Sequence, residues 1–374
     1  MSSSKNYSAS AKIRKRAVMD TQTMNFFQKL LDQPGPSGYE HDVSLLWKEY
    51  VTPYSDHLEH DFHGNTYAIL NVGKHFQIMI ASHADEIGLV VNYVSDDGFI
   101  YFMRIGGVDP AILLSQRVKI QTKNGEVPGV INKRTIQLRD AEKKDEVPQI
   151  HELWIDIGAK GKEEVLKKIR IGDPIIWGES YSELSNNFVV ARNFDNRIGC
   201  LIVAETMRRL SERKLELKVT VCAALTVQEE IGLLGAWNLA NRIKPQLGIA
   251  VDVTHDTNTP KVSKAKFGDI KCGKGPSIYR GSRTNAKVFD LLESTAVEKG
   301  IPIQIKIETG QTGTDADMIS HGGYGVPINV ISIPCRYMHT STEIIHLDDV
   351  ENAIKLLVEF ILKLDHKTEL LINS

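Results

Sequence analysis

Hydrophobic residues recur along most of the chain in two alternating patterns, one with helical spacing and one of short continuous runs. Helical spacing predicts helices that start near Thr21 and near Tyr39, and further helices at 197–212, 233–241, 285–299 and 348–364. Short apolar runs predict strands at 76–82, 218–226, 248–253, 302–307 and 327–333. Because helices and strands alternate, we expect an α/β fold in which a sheet is buried between helical layers.

Residues 88–173 show a different pattern, in which short runs alternate apolar and polar positions. Asp97-Gly98 and Asn124-Gly125 lie between such runs, and these dipeptides favour the tight turns of β-hairpins. The pattern predicts a small β-barrel inserted into the α/β domain. That domain is therefore expected to be discontinuous and to comprise residues 21–87 and 174–374.

The composition narrows the classes of partner. The chain has 374 residues, 42% of them hydrophobic, and its 45 Lys and Arg against 47 Asp and Glu give a formal net charge of −2. A nearly neutral chain has no overall field that would hold a polyanion. No apolar run approaches the roughly 18 to 20 residues that a membrane helix needs. We therefore expect neither a nucleic-acid partner nor a membrane partner.

Two further features bear on location. The four cysteines are widely spaced, without a Cys-x-x-Cys pair, which is typical of buried thiols in a reducing compartment, so a cytoplasmic location is predicted. Residues 1–20 form a basic, serine-rich segment that lacks the apolar core of a signal peptide. We predict a disordered tail there, and an organelle transit peptide is the alternative.

Polar residues that could carry chemistry follow or interrupt the predicted strands of the α/β domain. They are His83, Asp85, Asp195, Glu229, Glu230, Asp252 and His339. Most have a structural explanation when taken singly, since Asp195 could cap the following helix and Glu229 and Glu230 could be solvated. Asp252 differs, because an acid within an apolar run must be paired, hydrogen-bonded or bound to a metal.

Taken together, these residues point to a metal centre. Polar groups at strand ends of an α/β sheet gather in one crevice, and two histidines with at least three carboxylates are the mixed ligands that a paired zinc or cobalt centre prefers. Of two adjacent acids, one can bind a cation while the other takes a proton from water. The pattern is therefore typical of a metal hydrolase.

Seven ordered motifs resemble those of the tetrahedral aminopeptidase family of metallopeptidases, which includes bacterial glutamyl aminopeptidases. They are PGPSGYE at 34–40, HADEIG at 83–88, FDNRIG at 194–199, TVQEEIGLLGA at 226–236, VDVTHD at 251–256, TGTDA at 312–316 and RYMHTSTE at 336–343. The resemblance spans nearly the whole chain and implies a zinc-peptidase-like α/β/α catalytic domain. It also implies that the inserted barrel is a dimerisation domain and that dimers assemble into a hollow tetrahedral dodecamer.

The same resemblance implies roles for individual residues. One divalent metal ion would be bound by His83, Asp195 and Asp252, and a second by Asp195, Glu230 and His339, so that Asp195 bridges the two. Glu229 would be the general base, and Asp85 would orient His83. Zinc or cobalt is the expected metal, with two ions per chain.

The favoured function is hydrolysis of N-terminal residues from peptides, with water activated at two metal ions and Glu229 as the base. One alternative is a glycosidase of the endoglucanase type, which needs two carboxylates flanking a sugar. The two histidines, and only four tryptophans for sugar platforms, argue against it. Another alternative is a catalytically silent scaffold that only binds, and the intact Glu229 and ligand set argue against that.

Overall fold

The computed structural model describes residues 19–135, 137, 146–179 and 181–371. The predicted basic tail at 1–20 therefore lies outside the described residues, apart from its last two positions. The helices are α1 (Thr21–Asp32), α2 (His41–Val51), α3 (Lys162–Leu166), α4 (Phe194–Glu212), α5 (Leu234–Ile243), α6 (Lys264–Phe267), α7 (Ala286–Lys299), α8 (Ala316–Ile319) and α9 (Leu347–Lys363).

The strands fall into three groups. The main sheet contains β1 (His57–His60), β2 (Thr66–Leu70), β3 (Gln77–His83), β12 (Thr220–Thr226), β13 (Leu247–His255), β14 (Ser277–Gly281), β15 (Gln304–Glu308) and β16 (Ile328–Cys335). A barrel contains β4 (Gly88–Val94), β5 (Ile100–Ile105), β6 (Arg117–Thr122), β7 (Gly125–Asn132), β8 (Trp154–Asp156) and β9 (Pro174–Trp177). A small sheet contains β10 (Ser182–Glu183), β11 (Phe188–Ala191) and β17 (Glu343–His346).

The main sheet has the strand order β1-β2-β12-β3-β13-β16-β14-β15. Four of its strands, β12, β3, β13 and β16, are parallel neighbours. Every residue of β12 is buried, as are nearly all those of β3 and β13. Strands covered on both faces need apolar residues at successive positions, which explains the short continuous runs in the sequence.

Helices cover both faces of this sheet. Along β13, Ile249 and Val251 face the hydrophobic core formed with α1, α2, α4, α7 and α9, whereas Ala250 faces the one formed with α5 and α8. Alternation between two cores is what a strand buried in the middle of three layers requires. The predicted α/β/α fold is confirmed. Within the part of the chain that the structure describes, no helix combines the length and the apolar character needed to cross a bilayer.

The inserted barrel has its own hydrophobic core, which includes Leu89, Val118 and Ile155. Its hairpins β4–β5 and β6–β7 turn at the predicted Asp-Gly and Asn-Gly positions. The barrel is closed by β9, which pairs with β4 and β6, although the boundary predicted after residue 173 places that segment in the α/β domain. The run Pro174–Trp177 is largely apolar, so pattern alone does not distinguish it from a strand of the main sheet.

Candidate metal centre

All seven residues predicted for the site lie near the carboxyl ends of the parallel strands. His83 is the last residue of β3, and Asp252 lies three residues before the end of β13. Glu229 and Glu230 follow β12, and His339 follows β16. Asp195 lies in the first turn of α4, where its backbone dihedral angles depart from those of a helix. Parallel strands that end at one edge explain why residues so distant in sequence meet.

Asp195 lies between the two histidines. Its Oδ1 is 3.2 Å from Nε2 of His83, and its Oδ2 is 3.2 Å from Nε2 of His339. The two oxygens of one carboxylate thus face different imidazoles. This arrangement suits a carboxylate that binds a different cation through each of its oxygens.

Two sets of three donors share Asp195. The first ligand group is His83, Asp195 and Asp252, and the second ligand group is Asp195, Glu230 and His339; within each, the donor atoms lie within 4.8 Å of one another. The Nε2–Oδ1 distance from His83 to Asp252 is 3.8 Å, and Nε2 of His339 is 3.2 Å from Oε1 of Glu230. Ligands of a tetrahedral zinc ion lie roughly 3.3 Å apart, so a divalent cation fits each group.

Glu229 lies beside these groups. Its Oε2 is 3.9 Å from Nε2 of His83, which is longer than the distances from Asp195 to either histidine. Its donor atoms also fall within 4.8 Å of those of His83 and Glu230. A carboxylate that lies next to the centre, without being needed to complete either group, is available to exchange a proton.

The electrostatics of the cluster favour bound positive charge. Burial raises the pKa values of Glu229, Glu230 and Asp252. Burial alone would lower the pKa of His339, but hydrogen bonds and charges from Asp195 and Glu230 raise it to about 11. Within the described residues, the cluster's acids form ion pairs with the two histidines alone. A cation is therefore the natural complement of this site.

Glu86, three residues after His83, is a buried acid whose charge is balanced by arginines of the same chain. This buried carboxylate accepts hydrogen bonds from Arg192 at 3.3 Å and Arg197 at 3.2 Å, and from the backbone of Gly35 at 3.0 Å. The protein thus supplies its own cations for one buried acid of the HADEIG motif. It supplies no lysine or arginine to the neighbouring ligand groups within the described residues.

Asp85 connects the two strand ends that carry ligands. Its Oδ1 is 3.4 Å from Nδ1 of His83, which leaves Nε2 of that ring directed at Asp195. The carboxylate also accepts hydrogen bonds from the Ser37 hydroxyl at 2.6 Å and from the backbone N–H groups of Glu229 and Glu230 at 3.1 Å each. A carboxylate that contacts the outer nitrogen of a ligating histidine fixes its tautomer and orientation.

His339 is held by a different part of the molecule. Its Nδ1 is 3.3 Å from the carbonyl oxygen of Gly107, which follows β5 of the barrel. A Cβ atom at Gly107 would lie 3.0 Å from this nitrogen, so glycine permits the approach. The inserted barrel therefore contributes directly to the environment of the second ligand group.

Sequence reasoning misses three buried acids around the centre: Glu40, Asp315 and Glu343. Glu40 accepts a hydrogen bond from the backbone of Gln228 at 3.1 Å, and Asp315 accepts one from the Thr226 hydroxyl. Burial raises the pKa values of Glu40 and Asp315 to about 7. Each of the three acids lies within one of the seven motifs, which was the available signal.

A family model described as M42 glutamyl aminopeptidase matches residues 64–356, a range that includes every predicted site residue. The lysyl aminopeptidase of Pyrococcus furiosus is 34% identical over 333 residues, covering 88% of this chain and 94% of that protein.

Solved structures agree with this match. The TET aminopeptidase of the marine sediment archaeon Thaumarchaeota archaeon SCGC AB-539-E09 superposes with a TM-score of 0.88 at 32% identity, covering 92% of this chain and 97% of that one. The TET1 peptidase of Pyrococcus horikoshii, which can assemble into a tetrahedron or a large octahedral shell, has a TM-score of 0.82 at 31% identity, covering 91% and 100%.

Proposed function

Because the chain belongs to the M42 glutamyl aminopeptidase family, we propose that it is an aminopeptidase that hydrolyses the first peptide bond of its substrates at a centre of two divalent metal ions. The position of Asp195 between His83 and His339 carries the two-metal part of this proposal, since its two oxygens lie 3.2 Å from different imidazoles. His83 and Asp252 complete one site, and Glu230 and His339 complete the other.

Zinc and cobalt are the proposed metals, because both accept imidazole and carboxylate ligands. When bound, the two cations would polarise the scissile carbonyl and increase the acidity of water. Glu229 takes the proton from the attacking water and delivers it to the leaving amine. Asp85 keeps Nε2 of His83 directed at the centre and holds the backbone of Glu229 in place.

A free N-terminal amine is the feature by which substrates are recognised. The five carboxylates at the centre, Asp85, Asp195, Glu229, Glu230 and Asp252, carry one more negative charge than two divalent cations neutralise. The site can therefore accept an ammonium group, or an amine that donates its lone pair to a cation. Either interaction would fix the first peptide bond beside Glu229.

Matched peptides with free and acetylated N-termini test this function. Acetylation removes the charge and the lone pair, so cleavage of the acetylated peptide is expected to be lost. Mass spectrometry of the products should show loss of single residues from the free peptide. Equal cleavage of the two peptides, or internal cuts that appear first, would point to an endopeptidase or a deacylase on the same centre.

The glycosidase alternative is not favoured. Glycosidases place two carboxyl groups about 5 to 9.5 Å apart on either side of a sugar, whereas the donor oxygens of Asp195 and Glu230 lie within 4.8 Å of one another and face the same histidine. This pair is arranged as two ligands of one cation and not as groups on opposite sides of a sugar.

The barrel is the proposed dimerisation domain, and a dodecamer of such dimers is the proposed assembly. Met103 on β5 is 55% exposed and offers an apolar contact on the barrel surface. The variant Met103→Glu should lower the mass measured by light scattering. Val297→Glu on α7, where Val297 is 77% exposed, is the matched control. A loss of assembly in the α7 variant alone would assign the contact to the α/β domain.

A cytoplasmic location is proposed from the cysteines. All four, Cys200, Cys222, Cys272 and Cys335, are buried and unpaired. Free thiols persist in a reducing compartment. Fractionation of cells that express the tagged chain would test this location.

A further inference from the structure

Glu343 is a buried carboxylate that lies next to both ligand groups without belonging to either. Its Oε2 accepts a hydrogen bond from the backbone N–H of Asp195 at 2.9 Å, and its Oε1 accepts one from the backbone N–H of His339 at 2.8 Å. These two ligands belong to different segments, the start of α4 and the loop after β16. One side chain thus joins two of the three residues of the second ligand group.

Both N–H groups lie where the backbone is irregular. His339 has a left-handed φ of 62°, a conformation that is strained for a non-glycine residue and persists only when its surroundings hold it. Asp195 departs from helical geometry with φ −79° and ψ 103°. Glu343 supplies each of these N–H groups with an acceptor.

The loop that carries His339 is fixed at its base as well. Arg336 and Ile344 exchange two backbone hydrogen bonds, of 2.9 and 3.1 Å. Between them, His339 projects from the loop with its side chain 33% exposed. Closing the base does not by itself determine where the tip lies, and the hydrogen bond to Glu343 connects the tip to α4.

We propose that Glu343 is a positioning residue for the second metal ion, and that it sets the separation between Asp195 and His339. The proposal rests on the two-metal centre described above. In the main sheet, His83 of β3 pairs with Thr226 of β12 and Asp252 of β13 pairs with Ser332 of β16, so the sheet holds both ligands without Glu343. Loss of Glu343 should therefore lower the affinity for the second ion much more than the affinity for the first.

The test is a titration of Co²⁺ into the metal-free full-length chain. Calorimetry and the visible absorption of cobalt monitor binding during the titration. Glu343→Gln keeps the shape of the side chain, but its NH₂ group must face a backbone N–H donor, so one of the two hydrogen bonds is lost. The second binding step should weaken about 10- to 100-fold, the usual cost of losing an outer contact to a metal ligand. The first step should change by a much smaller factor, because His83 and Asp252 keep their places in the main sheet.

Asp349 offers a matched control. It is also a buried acid that accepts hydrogen bonds from two backbone N–H groups, those of Gly273 at 2.6 Å and Gly275 at 2.7 Å. Neither glycine belongs to a ligand group. Asp349→Asn should lower the melting temperature while leaving both Co²⁺ steps unchanged. If general loosening were the cause, the two variants would affect cobalt binding alike, and the proposal would be overturned.

Hydrogen exchange in the wild-type chain provides a second measurement that needs no variant. In the metal-free protein the His339 amide should exchange slowly, although its loop is partly exposed. Exchange at the rate of an unprotected amide would overturn the proposal, as would an unchanged second step in Glu343→Gln. A wild-type chain that binds fewer than two Co²⁺ ions would refute the two-metal centre itself, so the failures are distinguishable.

Discussion

The two ligand groups of the proposed metal centre are built in different ways. His83 and Asp252, from the first group, lie on adjacent parallel strands and are 1% and 5% exposed. Glu230 and His339, from the second, lie on segments that follow strands, and the His339 side chain is 33% exposed. The outer nitrogen of His83 contacts Asp85 of its own segment, whereas that of His339 contacts Gly107 beside the barrel.

This difference teaches that shared ligands do not imply equal rigidity. A strand inside a sheet is held by hydrogen bonds on both sides and by two hydrophobic cores, while a loop depends on a few specific contacts. We therefore expect the first ligand group to keep its geometry in the absence of metal. The second ligand group should release its ion more readily.

The largest expected effect on turnover comes from Glu229, which belongs to neither the first nor the second ligand group. Glu229→Gln should lower turnover about 10²- to 10⁴-fold, because it removes general acid–base assistance, and it should leave both metal ions bound. Steady-state kinetics and elemental analysis of the same preparation provide the measurement. Glu49→Gln on the exposed face of α2 serves as the control and should keep full activity. Full activity in Glu229→Gln would remove Glu229 from the mechanism.

Substitution of the shared carboxylate should abolish the difference between the groups. Asp195→Asn should lower the binding affinity for both ions, each by more than the 10- to 100-fold that is typical of a lost outer contact. Asp252→Asn should weaken the first ion alone, and Glu230→Gln the second alone. Elemental analysis after dialysis at a fixed metal concentration distinguishes the three patterns. Two ions retained in Asp195→Asn would contradict bridging.

Stepwise removal of metal should expose the difference directly. An ion present at 100 times its dissociation constant stabilises the folded state by about 2.7 kcal/mol. As chelator is added, the ion of the second ligand group should be released at the lower chelator concentration, with a fall in melting temperature. The ion of the first ligand group should be released only at a higher concentration. Calorimetry and metal analysis at each step test the order. Simultaneous loss of both ions would show that the groups act as one unit.

Two small changes in the outer contacts should act on one group each. Gly107→Ala places a methyl group about 3.0 Å from Nδ1 of His339, and it should weaken the second ion about tenfold. Ser37→Ala removes a hydrogen bond to Asp85 and should weaken the first ion by a similar or smaller factor. Parallel cobalt titrations compare the variants. If Gly107→Ala lowers the affinity for the first ion as strongly as for the second, the proposed difference between the two ligand groups is wrong.

Much of the centre is predictable from the sequence because it depends on strand ends. Residues that follow the apolar strands of an α/β sheet must meet at one edge, and His83, Glu230 and Asp252 can be located in this way. The acid within the apolar run at 248–253 is informative for a second reason, since burial demands a partner for it. The α/β/α layers follow from the same periodicity.

The remaining features depend on contacts between distant segments. Gly107 and His339 are 232 positions apart, and no local pattern connects a glycine after a barrel strand with a histidine of the main domain. Glu343 contacts the backbone of its partners, so its role leaves no trace in the spacing of side chains. The end of the barrel is obscured because Pro174–Trp177 has the composition of a sheet strand.

The contact between Gly107 and His339 also limits how the protein can be re-engineered by exchange of modules. The barrel could be treated as a cassette, to be replaced by that of a relative in order to alter assembly. A graft that changed the path of the chain after β5 would displace the backbone carbonyl that orients an imidazole of the other domain. A chimaera that keeps β4, β5 and residues 106–107 of the recipient would preserve this contact, so the first junction should be placed inside the barrel sequence, after Gly107.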